Sequence, residues 1–349
     1  MKVAVNDFIS DRGMSGSAVG GKAIVTALRS ASHDCATIMP CGYQQGRRLS
    51  NMLKMISWDL HRASGAAVAA DSDVMVNLAN TGVGWNIPTI NVLHDTMVLD
   101  HPSMFERPYR AYATMTFGPS VRRAAINVVP SQYSKSRALR RWPDAKYQVI
   151  PWYSRNQRVS QYQSTPASLN ILSIASADKH KRLPMLVSAV TQARKILGED
   201  LTLTLIARSG NDMRSIRTLA DSGMYPWLIL ECEYVEDSRL QNLVDSSLCV
   251  ASSSIDEGFC LPLLEAGMRG IPVVHTSRGA MDEVITVNPG VTRGGPGDEL
   301  LIINQIVALF EDSMWAREAF RSWEASIKFN VCGFEASWAK VVEDAAGVR

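Results

Sequence analysis

SSSIDEGFCLPLLEAGMRGIPVV, residues 252–274, follows the apolar run LCVA and closes on a second run of β-branched residues. The pattern reads as strand, turn, helix, strand. Pro262 suits the first helical turn, where a missing N–H costs nothing, and Gly270 suits the helix end, where a left-handed residue is wanted. The backbone amides of Gly258, Phe259, Cys260 and Leu261 are then left without helical partners. Free N–H groups at the positive end of a helix bind anions, so this loop is a candidate diphosphate site. Glu265, at the first turn, can accept hydrogen bonds from two ribose hydroxyls, and Glu257 in the loop can grip the hydroxyls of a sugar.

Working outward, the same alternation of short apolar runs and helix-period segments fills the chain. Strands are expected at 2–5, 36–39, 73–78, 89–93, 126–129 and 147–150, and again at 169–175, 201–207, 228–231, 248–251 and 271–275. Helices are expected near 22–30, 183–197, 212–221 and 238–245. Strands this apolar are covered on both faces, which points to parallel α/β sheets. Between the two series, residues 154–168 read SRNQRVSQYQSTPAS, with neither period, and form a linker. The expected organisation is a domain over residues 1–155, a linker at 156–168, a second domain at 169–325, and a helical segment at 326–349 packing back on the first domain.

Composition removes several function classes. The chain has 349 residues, and its 36 basic side chains are nearly balanced by 34 acidic ones, so no general field favours nucleic acid. The cysteines Cys35, Cys41, Cys232, Cys249, Cys260 and Cys332 form no CxxC pair, which argues against zinc and a redox dithiol and fits a reducing cytoplasm. No apolar stretch approaches a membrane span, and the first residues carry no secretory pattern. The first glycine cluster is not spaced GxGxxG, and the second strand runs into Pro40 and Cys41 without an acid for an adenosine ribose, so a Rossmann dehydrogenase is disfavoured. Asp71-Ser72-Asp73 precedes a strand instead of ending one and reads as a solvated turn.

The string EGFCLPLLEAGMRGIPVV resembles the acidic signature of family-four retaining glycosyltransferases. The resemblance implies the GT-B fold: α/β, two doubly wound Rossmann-like domains facing each other across a cleft. It implies transfer of a hexose from a nucleotide-diphosphate sugar to a glycan or lipid-linked acceptor. It places Glu265 on the donor ribose, Gly258, Phe259, Cys260 and Leu261 at sugar and phosphate, and Glu257 on the transferred hexose. The family usually has Gly where Cys260 stands, which puts the hexose pocket in question. ILSIASADKHKRLPMLVSA resembles the family's phosphate-binding turn, with Lys181 as its Lys. Many relatives carry Arg where Ser176 stands. Either Arg182 or a neighbour replaces it, or the phosphate site is weaker.

TINVLHDTMVLDHPSMF resembles a segment of mannosyltransferase-like members, which places His94 at a strand end on the acceptor side, touching donor sugar or acceptor, and makes GDP-mannose the first candidate donor. GMSGSAVGG, residues 13–21, resembles the family's glycine turn. Gly16 and Gly20 are either its close-approach points to phosphate or merely turn residues. No cofactor and no metal are expected. From Arg122 to Lys146 seven bases face the single acid Asp144; with Trp142 they form either a candidate contact with an anionic membrane surface or merely a solvated helix face. The alternative reading is a catalytically silent nucleotide-sugar-binding protein of the same fold.

Overall fold

Runs such as Val74–Asn77 and Thr89–Val92 have every side chain buried. Burial of each Val or Ile contributes about 1.5–3 kcal/mol, and only a sheet layered between helices buries both faces of a strand. The computed structural model describes residues 1–7, 16–40, 48–154, 158–287 and 297–347. Among them are two parallel sheets. The first holds β1 (Lys2–Asn6), β2 (Asp34–Ile38), β3 (Val74–Asn77), β4 (Thr89–Val92), β5 (Ile126–Val129) and β6 (Tyr147–Val149), in the order β2-β1-β3-β4-β5-β6. The second holds β7 (Asn170–Ile174), β8 (Thr202–Ile206), β9 (Leu228–Glu231), β10 (Cys249–Ser252) and β11 (Val273–His275), in the order β11-β10-β7-β8-β9.

The chain forms two compact units, Met1–Tyr153 with Phe329–Arg349, and Ser154–Lys328. The last helix, Val331–Ala346, begins at Asn330, whose side chain accepts from Gly333 N–H at 2.8 Å. It buries Phe334, Trp338, Val341, Val342 and Ala345, packing on the helix Gly16–Ser30 and on β3 and β4. The stretch after Gln157 is held against the second unit: Val159 N–H donates to Met268 O at 3.0 Å, and the Arg158 guanidinium lies 3.7 Å over the Trp323 ring.

A row of asparagines crosses the first sheet. Asn6, Asn77, Asn91 and Asn127 stand in register on β1, β3, β4 and β5, all essentially without solvent exposure. Asn6 Nδ2 donates to Asn77 Oδ1 (3.0 Å), Asn77 Nδ2 to Gly82 O (2.7 Å), Asn91 Nδ2 to Asn127 Oδ1 (3.2 Å) and Asn127 Nδ2 to Val121 O (2.9 Å). Gly82, at φ +138, is required here, since a Cβ would lie 2.1 Å from Asn77 Oδ1. A one-residue slip of any of these strands would send its amide to the other face and strand the partners, so the row fixes register as well as stability.

Two sequence expectations change. The helix expected near 22–30 starts at Gly16, so Gly20 is helical and packs against Trp152, whose ring atoms would stand 3.1–3.2 Å from an added Cβ. Small side chains at Ala18, Gly20, Gly21 and Ala23 let this helix lie close on its neighbours; the sequence shows the glycines but not that closeness. The rest of the expected glycine turn, Gly13 to Ser15, lies outside the described residues. Trp142 is not available to a membrane: it is 5% exposed and sits in a core cluster with Phe117 and Val121. Arg137 and Arg141 both pair with Asp100, at 2.7 and 3.1 Å, and Arg123 lies over Trp85 at 3.9 Å, so three of the seven bases are engaged within their own unit. Among the described residues no helix is long and apolar enough to cross a membrane.

Asn77→Ala leaves Asn6 Nδ2 and Gly82 O buried without their partner, and each such group costs about 1–3 kcal/mol. The expected loss is at least about 2 kcal/mol, read as a lower urea midpoint with the slope unchanged; an unchanged midpoint would show that the row adds nothing.

Candidate functional site

In the second sheet β7 and β10 are neighbours although two strands, β8 and β9, lie between them in chain order, which makes their carboxyl ends a topological switch point. Open parallel sheets bind ligands at such points because the two following loops diverge there. After β7 the chain forms a short 3-10 turn, Lys179–Lys181, then Arg182 in the left-handed region (φ 49, ψ 41), then the helix Leu183–Leu197. After β10 it runs through Ser253 to Cys260 into the helix Leu261–Met268. The two loops are tied together. Ile255 N–H donates to His180 O (2.9 Å), Ser253 Oγ donates to Lys181 O (2.6 Å), and Arg182 donates to the carbonyls of Ser253 (2.9 Å) and Ser254 (3.3 Å).

The ties bring Lys181 and Glu257 together, with Nζ 2.5 Å from Oε1 and both side chains mostly buried. Ser254 Oγ donates to the same oxygen at 2.6 Å. Burial disfavours the charged form of Glu257, but the Lys181 ammonium and the two hydrogen bonds outweigh it, and its carboxyl stays below the ordinary range. Its backbone is clasped from the other side by Ala280 N–H (2.8 Å) and by Gly279, at φ +67, where a Cβ would stand 2.4 Å from the Glu257 backbone.

The helix Leu261–Met268 has Pro262 in its first turn and ends as the sequence indicates. Gly270 is left-handed (φ +68), its N–H donates to Gly267 O (2.9 Å), and Ile271 N–H donates to Ala266 O (3.0 Å), which is the double bond of a Schellman end. Cys260, at its start, has φ +80 and ψ +70. A side chain in that region is strained by about 1–3 kcal/mol, which is the physical reason a glycine suits the position. Burial and the nearby Glu257 carboxylate push the Cys260 thiol up to about 12, so it is not a nucleophile. Phe259 is buried, so this residue offers a ligand only its backbone. Burial pushes the Glu265 carboxyl up to about 7, against a hydrogen bond from Ser154 and with added repulsion from Asp237.

Lys181, Glu257, Gly258, Phe259, Cys260, Leu261 and Glu265 thus belong to the two loops and one helix at this sheet edge. His94, Gly16 and Gly20 belong to the other unit. His94 follows β4, stacks on Trp152 (centroids 5.6 Å apart, planes 25°), and has Nε2 2.7 Å from Leu78 O. Burial holds it below the usual histidine range, so the ring is neutral, and a carbonyl partner assigns the proton to Nε2. Nδ1 is then the acceptor. Asp95 caps a turn through Met97 N–H at 2.8 Å. Asp71 and Asp73 bind Lys2 before β3, at the amino end of the first sheet.

Sequence reasoning missed Ser254 and left the place of Arg182 open. Ser254 was visible as a hydroxyl three positions before Glu257, a spacing that closes a turn. Arg182, considered as a substitute for the Arg replaced by Ser176, is committed elsewhere: besides the two carbonyls it pairs with Asp298 at 2.7 Å. Among the described residues no three His, Cys, Asp or Glu side chains cluster as a metal site.

Residues 157–293 match the family described as Glycosyl transferases group 1, a span that carries Lys181, Glu257 and Glu265. Among solved structures the chain is similar to sucrose-phosphate synthase from Thermosynechococcus elongatus (16% identity, TM-score 0.79, all of both chains covered). It is also similar to HepE from Anabaena in complex with UDP and glucose (16%, 0.69, 98% of this chain and 99% of that one) and to WaaG, a glycosyltransferase involved in lipopolysaccharide biosynthesis (12%, 0.71, 98% and 99%). No curated protein matches the sequence. Likeness over the full length establishes the fold as GT-B, built from two parallel-sheet Rossmann-like domains.

The raised Glu265 couples the site to pH. Its folded value lies above the unfolded one, so its contribution to stability is complete below about 4.5 and is lost as pH rises through about 7. Glu265→Gln should therefore raise the melting temperature at pH 8 and leave it unchanged at pH 4. A ligand hydroxyl donating to the ionised carboxylate binds best above pH 7, so affinity for a hydroxyl-bearing ligand that depends on this contact should fall below that value in the wild type and stay flat in Glu265→Gln. Parallel pH profiles for the two proteins in calorimetry would remove Glu265 from the ligand contact.

Proposed function

We propose that the chain is a retaining glycosyltransferase that moves a hexose from a nucleotide-diphosphate sugar to a glycan or lipid-linked acceptor. The observation that carries this reading is the Lys181–Glu257–Ser254 constellation at the β7/β10 switch point, in the loops that lead into the helix bearing Glu265. The amides before Leu261 and the Lys181 ammonium take the diphosphate, and their charge stabilises it as the leaving group. Lys181 exchanges Glu257 for phosphate as the donor arrives. Glu257 accepts hydroxyls of the hexose, Glu265 those of the ribose, and the neutral His94 offers Nδ1 to a hydroxyl of sugar or acceptor.

The match to the group 1 family and the fold support transfer chemistry. Resemblance to mannosyltransferase-like sequences favours GDP-mannose as donor, and the UDP-glucose complex of HepE makes UDP-glucose the second candidate. A thermal-shift panel of nucleotide sugars separates them, because a ligand at 100 times its dissociation constant stabilises by about 2.7 kcal/mol. No shift with any nucleotide sugar would sink the assigned donor site. Release of nucleoside diphosphate from the preferred donor then distinguishes an enzyme from a silent binder.

Two further outcomes are expected. Activity persists in excess chelator, since amides and Lys181 neutralise the leaving group; complete loss that added metal restores would contradict this. His94→Ala lowers turnover about tenfold, the worth of one 1.4 kcal/mol interaction formed in the transition state, and leaves nucleoside-diphosphate affinity intact. Equal turnover of variant and wild type would make His94 structural.

A further inference from the structure

Glu257 Oε1 receives both side-chain donors, Lys181 Nζ at 2.5 Å and Ser254 Oγ at 2.6 Å, and neither reaches Oε2. A carboxylate has acceptor capacity on both oxygens, so this one is saturated on a single side. The two donors differ in what else they can do. Lys181 carries a mobile charge on a flexible stem, and a diphosphate competes for it. Ser254 is fixed: it is 1% exposed, and its carbonyl is held by Thr276 Oγ1 (2.6 Å) and by Arg182 (3.3 Å). Its hydroxyl also stands 3.4 Å from Ser252 Oγ, which donates to it and leaves the Ser254 proton for Glu257.

We propose that Ser254 is a positioning residue for donor-sugar recognition: it keeps Glu257 Oε1 in place after Lys181 turns to the diphosphate, so that Oε2 remains the acceptor for a hydroxyl of the transferred sugar. This rests on the glycosyltransferase reading. Without Ser254 the carboxylate loses its remaining anchor at the moment the donor is bound, and it either follows Lys181 or rotates away from the sugar. The consequence falls on the transition state more than on nucleotide binding, because the ribose and diphosphate contacts lie on other groups.

The test is steady-state release of nucleoside diphosphate from UDP-glucose and from GDP-mannose. With the better of the two donors, Ser254→Ala is expected to lose about tenfold or more in kcat, while the dissociation constant of the matching nucleoside diphosphate changes by less than about twofold. Ser254→Thr keeps a hydroxyl and recovers most of the rate. In the double variant with Glu257→Gln, the Ser254→Ala loss is absent, since a residue that acts through Glu257 adds nothing once that carboxylate is gone. Losses that multiply in the double variant, or wild-type kcat in a folded Ser254→Ala, overturn the proposal and leave the glycosyltransferase reading standing. A wild type that neither binds nor cleaves either donor overturns both. Should Ser254→Ala not fold, Ser254→Cys keeps the volume with a weaker donor; an intermediate kcat supports the proposal and a full one overturns it.

Discussion

The Arg182 guanidinium binds the carbonyls of Ser253 and Ser254 and the carboxylate of Asp298, which in turn is shared with Arg278 at 3.0 Å. To reach them its own backbone turns left-handed, a conformation that disfavours a side chain such as arginine. The geometry beyond it follows. One end of the clamp fixes the loop after β10 at the height of Ser254, and the other fixes the start of the helix that follows Lys181. The Lys181 ammonium, the Ser254 hydroxyl and the Glu257 carboxylate meet because their backbones are held relative to this one planar, five-donor group.

That clamp also explains why a buried ion pair is tolerated. Taking an ammonium and a carboxylate out of water costs several kcal/mol each, and contact alone rarely recovers it. Here the Ser254 hydroxyl supplies a further hydrogen bond to the carboxylate, and the pair keeps a low-energy resting arrangement. The pair is less a source of stability than a way of storing a charge in the site.

Much of the fold was legible. Strand runs such as INVV and VMVN are apolar on both faces, and all eleven strands fall within about two residues of where the period places them. The helix end at Gly270 was legible because only a residue tolerant of positive φ ends a helix that way. Illegible features depend on contacts distant in sequence. Gly20 looks like a turn glycine until Trp152, far along the chain, is found against it; Trp142 looks like an interfacial aromatic until the core around Phe117 closes over it. The asparagines were visible at the strand ends, but that they form one row required the register. Arg182 was read for its charge, whereas its place comes from two carbonyls that carry no signal in the sequence. The site residues on the acidic loop were legible as types, and their pairing through Lys181 was not.

The return of Phe329–Arg349 to the first unit has a bearing on how the polypeptide is made. The second unit is one uninterrupted stretch, whereas the first has its opening and closing segments separated by the whole of the second. On a ribosome the second unit can close as soon as its own residues emerge. The first must wait, with the surface beneath Phe334 and Trp338 uncovered, until the helix Val331–Ala346 has emerged. The usual order of vectorial folding, amino-terminal domain first, is thereby reversed, and the apolar bed of the Gly16–Ser30 helix is the surface a nascent-chain chaperone must shield longest.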